Sequence, residues 1–136
     1  MLHLVKLAVG CADPAALAAR QAARAALDPP LRVATRTWPR RAEEIVAGGS
    51  LYWVIGGAIR CRQRILGITE GQWDEATPCA EIAVDPTLVP VVPRPMRPFQ
   101  GWRYLDPAEA PPDAAEDTAA GLPPRLAAEL RALGLV

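Results

Sequence analysis

The sequence predicts an α+β fold, a small, mainly antiparallel curved sheet with about three flanking helices. Three observations carry that expectation. Residues 48–68 read as a β-hairpin, with a β-rich run, a Gly56-Gly57 turn and a second alternating run. Further short alternating runs stand at 2–9, 31–38 and 79–84, separated by turn signals. Helical segments begin on proline, at Pro14, Pro39 and Pro123-Pro124.

Each element follows in order. Residues 2–9 alternate, contain Lys6 and lead into no long apolar segment, so they are a first strand and not a signal peptide. Asp13-Pro14 is an N-cap followed by proline at the first helical position, and the helix should run from Pro14 to Leu27, ending before Asp28-Pro29-Pro30. Residues 31–38 are extended, and 39–47 form a short helix stopped by Gly48-Gly49. After the hairpin and a loop around Trp73 comes a strand at 79–84, closed by Asp85-Pro86. A proline-rich segment at 90–98 then runs into Phe99-Gln100-Gly101-Trp102-Arg103-Tyr104. That segment is either a stacking groove or a stiff strap burying Phe99 and Trp102, and the strap is preferred. Residues 1–112 are expected to form one α+β domain, and 113–136 an acidic linker and a C-terminal amphipathic helix with Leu126, Leu130 and Leu133 on one stripe.

At 136 residues the chain can bury a core without disulfides or metal. No run approaches the ~20 apolar residues that cross a bilayer, so a cytoplasmic protein with no membrane partner is expected. Net charge is zero, but residues 32–64 carry seven arginines against Glu43 and Glu44, and 106–136 carry six acids against Arg125 and Arg131. Arginine outnumbers lysine fourteen to one, so some arginines are simply the default solvated residue.

The candidate ligand-binding residues come from that basic middle. With Gly56-Gly57 as a two-residue loop, Ile55 faces Ala58, Val54 faces Ile59, Trp53 faces Arg60 and Tyr52 faces Cys61. Alternation then sets Arg60, Arg62, Arg64 and Trp53 on one face, and Tyr52, Val54, Ile59, Cys61 and Ile65 on the other. Three like charges in a row beside an indole suit an anion or a nucleic acid, although a solvated strand face looks the same. Arg36, Thr37, Arg40 and Arg41, at a strand-to-helix junction, offer a second anion site.

Catalytic signals are few. Cys11, Cys61 and Cys79 are widely spaced, and with His3 as the one histidine there is no zinc set. There is no G-x-S-x-G, phosphate loop or dinucleotide fingerprint, so no cofactor is expected. Glu43, Glu44, Glu81 and Asp85 are the available bases.

Two segments carry a family resemblance: Trp38-Pro39-Arg40-Arg41-Ala42-Glu43-Glu44 with the hairpin behind it, and Arg97-Pro98-Phe99-Gln100-Gly101-Trp102-Arg103-Tyr104-Leu105. They resemble a bacterial family catalogued as domain of unknown function 1489, over residues 2–112. That resemblance implies no activity and carries over no catalytic residue. The turn into Leu51-Tyr52-Trp53-Val54, and the return Arg64-Ile65-Leu66-Gly67-Ile68, are also similar to the PUA-like superfamily of small β-barrels. This second likeness implies a PUA-like β-barrel that binds RNA or modified bases, or a small hydrolase. The catalytic lysine and acid of those hydrolases have no counterpart near Thr37 and Arg40.

Three functions follow as expectations. The first is an RNA- or nucleotide-binding module using the arginine-rich hairpin face. The second is a small hydrolase acting on a phosphorylated or nucleobase-derived metabolite, with Glu43 or Glu81 as base. The third is a protein-interaction subunit using the proline-aromatic strap and the C-terminal helix.

Overall fold

In a computed structural model describing residues 1–72 and 77–114, the elements run β1 (His3–Leu7), α1 (Pro14–Leu27), β2 (Arg32–Thr35), α2 (Ala42–Val46), β3 (Ser50–Ile55), β4 (Ala58–Gln72), β5 (Pro78–Val84), β6 (Val89–Pro95) and β7 (Trp102–Leu105). The seven strands form one mixed, mostly antiparallel sheet ordered β2-β5-β4-β3-β1-β7, with β6 paired to β4. The α+β class holds. Among the described residues the sheet is not closed into a barrel, because no ladder joins β2 to β7 at the two ends of the strand order. Two helices, not three, are present among the described residues, and the expected helix at 123–134 lies outside them.

Helix α1 has the bounds that its caps dictate. The Asp13 carboxylate accepts from the Ala16 N–H at 2.8 Å, and Asp28 closes the last turn on the Arg24 carbonyl. Leu17 and Gln21, one turn apart, are its buried residues. Helix α2 is shorter than its sequence suggests. Arg41, at φ −97° and ψ 35°, is outside the helical region, so Arg40 and Arg41 stand in a turn and the helix begins at Ala42.

Strand β4 organises the sheet. Its first half pairs with β3 on one edge and β6 on the other, and its second half pairs with β5. Register shifts between Ile59 and Cys61 and between Ile65 and Gly67 let the strand bend. Both faces of the sheet are buried. One packs Leu4, Leu51, Trp53, Ile65 and Ile82 against Leu17 of α1 and Ile45 of α2. The other packs Val5, Tyr52, Val54 and Ile59 against Val91 and Phe99. The proline-rich segment thus divides, its first half becoming strand β6 and its second half a strap that buries Phe99 under the Arg103 guanidinium, 4.6 Å away.

The hairpin register is corrected by a bulge. Ile55 pairs with Ala58 and Val54 with Ile59, as expected, but the ladder then shifts so that Trp53 meets Cys61, Tyr52 meets Arg62 and Ser50 meets Arg64. The shift sends Ile59 into the strap-side core and Cys61 into the helix-side core. Simple alternation assigns one wet face and one dry face, and it loses the register where both faces are dry.

His3 is buried in β1. Its Nδ1 accepts from the Ser50 N–H at 2.9 Å, and its ring meets Tyr52 edge-on at 5.0 Å. Burial, then the Arg62 charge and the N-terminal amine, hold its pKa below the ordinary 6.5. In the unfolded chain the imidazole protonates first, so its contribution is complete above pH 6.5 and is lost as pH falls through the depressed native value. The expected result is that wild-type stability drops from pH 7 to 5 more steeply than that of His3→Gln in urea titrations. Parallel profiles would show that His3 is not held neutral.

Candidate anion-binding cleft

The predicted residues do not assemble as one surface. Trp53 is 4% exposed and lies on the helix-side face, where its Nε1–H donates to Gln63 Oε1 at 2.9 Å. It is therefore not available to stack a base beside the hairpin arginines. Arg60, at the bulge, lies half-buried along a small recess with Pro14, Cys61, Leu88 and Pro93. Arg62 has the acid that the hairpin lacks: Asp113 takes its Nε and Nη2 at 2.7 Å each, while its Nη1 donates to Ser50 Oγ at 3.1 Å. This pairing holds the Asp113 carboxyl below the usual carboxylate range. Asp113 is itself tied in through an isolated bridge to Val91 and the adjoining Ala114 N–H on the Pro90 carbonyl. Arg64 is exposed.

The strand-to-helix junction also rearranges. The Arg41 N–H at the start of α2 donates to the Tyr104 hydroxyl at 3.2 Å, and the Arg41 guanidinium chelates Glu44 at 2.5 and 2.8 Å. Arg40 is exposed. Arg36 and Thr37, in contrast, line a cleft of about 480 Å³ with Lys6, Thr35, Gln100 and Trp102. Trp102 Nε1–H donates to the Thr37 carbonyl at 3.0 Å, so a side chain spans the gap between the two ends of the sheet.

A second cleft, of about 320 Å³, lies along the same gap on the α1 side, lined among others by Lys6, Gln21, Arg24, Ala34 and Trp53. Lys6 and Ala34 belong to both clefts. The pairing of β1 explains why Lys6 stands there. It follows Leu4 on the helix-side face, with Trp53 beside it on parallel β3 and Trp102 beside it on antiparallel β7. The side chain is half-buried, and burial alone pulls its pKa below the ordinary lysine value. Among the described residues it makes no hydrogen bond or ion pair. Of the nearby arginines, Arg20 donates to the Val9 carbonyl at 2.7 Å, and Arg32 pairs with Asp28 at 2.6 Å and Glu81 at 3.3 Å.

Sequence reasoning missed Lys6 as a site residue, although two signals were present. It is the one lysine among fourteen arginines, and it sits at the core phase of Leu2, Leu4, Lys6 and Ala8. The cysteines carry no comparable chemistry: Cys61 is buried, and desolvation pushes its thiol up to about 11. No group of three His, Cys, Asp or Glu suited to a metal ion occurs among the described residues. No helix among them is long and apolar enough to cross a membrane.

A family model described as "Protein of unknown function (DUF1489)" matches residues 4–136. No curated protein and no solved structure matches the chain.

Proposed function

The chain belongs to the DUF1489 family, and from that premise we propose that it is a binding module for RNA or a nucleotide, with the ligand in the gap between β1–β7 and β2. One observation carries this reading: a two-part cleft lined by Lys6, Arg24, Arg36 and Trp102 combines positive charge with an aromatic wall. The hairpin face is the weaker candidate, since Asp113 already neutralises Arg62 and the Trp53 indole faces the other way.

Fluorescence anisotropy with labelled single-stranded RNA, structured RNA and duplex DNA tests the reading, at low and physiological salt. Affinity should fall with salt, as expected where phosphates displace counterions. The double substitution Arg24→Ala with Arg36→Ala should weaken binding about tenfold and flatten the salt slope. Arg60→Ala with Arg64→Ala, which leaves the Arg62–Asp113 pair intact, should cost less than about threefold. The opposite order of effects would return the site to the hairpin.

A further inference from the structure

We propose that Lys6 is the anchor for the phosphate of a single nucleotide unit whose base lies in the Trp102 cleft, so that the protein recognises a free mononucleotide or a phosphorylated RNA end. The inference rests on the cleft being the binding site and adds what the cleft selects.

The geometry argues for a monomer. Lys6 is flanked in register by Trp53 on one neighbouring strand and Trp102 on the other, and it is the one charged side chain shared by the two clefts. At about 480 Å³, the larger cleft lies at the small end of the range for small-molecule sites, roughly 300–1,000 Å³. A space of that size holds one base and sugar. Thr37 and Gln100 add polar residues to the same lining, while the Thr35 hydroxyl is already committed to the Thr37 carbonyl at 3.2 Å.

Charge points the same way. The Lys6 side chain is half-buried along its stem, and its ammonium, with no partner among the described residues, is open to solvent and so to an anion. Lysine is a compact point charge suited to a single phosphate, whereas an arginine would present a planar fork. In a chain that otherwise uses arginine everywhere, the one lysine stands at the junction of the two clefts.

Because Lys6 is the sole lysine, its chemistry can be read directly. The purified full chain is acetylated with an amine-selective reagent, and Lys6 is followed by peptide mass spectrometry with the N-terminal amine as internal reference. The probes are AMP, adenosine, inorganic phosphate, and a short single-stranded RNA with either a 5′-phosphate or a 5′-hydroxyl. Expected is about tenfold slower acetylation of Lys6 at an AMP concentration ten times its Kd. The 5′-phosphorylated RNA should protect equally if the source is an RNA end, and protect less if it is the free nucleotide. Adenosine and the 5′-hydroxyl RNA should protect little, and the N-terminal amine should be unaffected. Lys6→Met, a near-isosteric change, should weaken AMP binding at least about tenfold, the usual scale for losing one charge-assisted contact.

If RNA binds through Arg24 and Arg36 while Lys6 acetylates at one rate with every probe, the anchor is wrong and the cleft reading stands. If no probe binds the folded protein, both fall. Should Lys6→Met fail to fold, protection of the wild-type amine decides the question alone.

Discussion

Gly49→Ala should destabilise the protein by about 4 kcal/mol, at the upper end for single substitutions. A Cβ at this position would stand 2.1 Å from the Leu2 carbonyl oxygen and 2.4 Å from that of Ile45. Both are backbone atoms, so no side-chain rotation relieves the clash. Three hydrogen bonds meet at the same point: Gly49 N–H donates to the Ile45 carbonyl at 2.7 Å, its own carbonyl accepts from the Ile65 N–H at 3.0 Å, and the Leu2 N–H donates to the Glu44 carbonyl at 3.1 Å. Room for a methyl group would come only from separating the start of β1 from the end of α2, and those contacts lie just ahead of the parallel β1–β3 ladder that presents Lys6. Gly67→Ala is the control, because a Cβ there meets nothing within 4 Å, and it should shift stability by less than about 1 kcal/mol. Equal urea midpoints for the two variants would mean that the crossing is looser than its geometry indicates.

The second large effect is expected at Gln63, which is 0% exposed in the middle of β4. Its amide is fully used. Oε1 accepts from Trp53 Nε1–H at 2.9 Å and Gln21 Nε2–H at 3.0 Å, while Nε2–H donates to Gln21 Oε1 at 2.7 Å and the Asp85 carbonyl at 3.1 Å. Gln63→Ala would orphan the indole N–H and the Gln21 amide in a dry space and leave a cavity, costing about 3–4 kcal/mol. Gln63→Leu keeps much of the volume but orphans the same groups, and should cost about 2–3 kcal/mol. A double-mutant cycle with Gln21→Leu isolates the shared part, with an expected coupling of at least about 1 kcal/mol. Additive effects would show that the two amides do not depend on each other. Because Gln63 holds the Trp53 indole and Gln21 beside the α1-side cleft, these variants should also weaken any ligand that the cleft binds.

Gln63 also shows where reading the chain locally stops. It falls between Arg62 and Arg64 in an alternating strand, and alternation assigns it to the inner face, yet nothing nearby in sequence predicts a partner 42 residues away on α1. The Arg62–Asp113 pair spans 51 residues, and it turns the centre of a proposed anion face into an internal ion pair. Arg36 and Thr37, by comparison, stand out in the sequence as candidates and line a cleft. The feature that made them conspicuous, a helix N-terminus behind them, is the part that Tyr104 takes up.

What the sequence alone determined is the set of short-range elements: α1 between Asp13 and Asp28, the turn at Gly56-Gly57, and strands at 79–84 and around 50–55. Caps, positive-φ turn residues and alternation act within a few residues, so their energies are visible in the order of the chain. Family membership was legible for the same reason, in contiguous motifs. Tertiary structure decided the rest. The bulge that parts Arg60 from Trp53, the parallel seat of β1 beside β3 and the gap that leaves Lys6 between two indoles all arise because both faces of the sheet must be covered at once. That requirement is set by elements far apart in the chain, and no local pattern contains it.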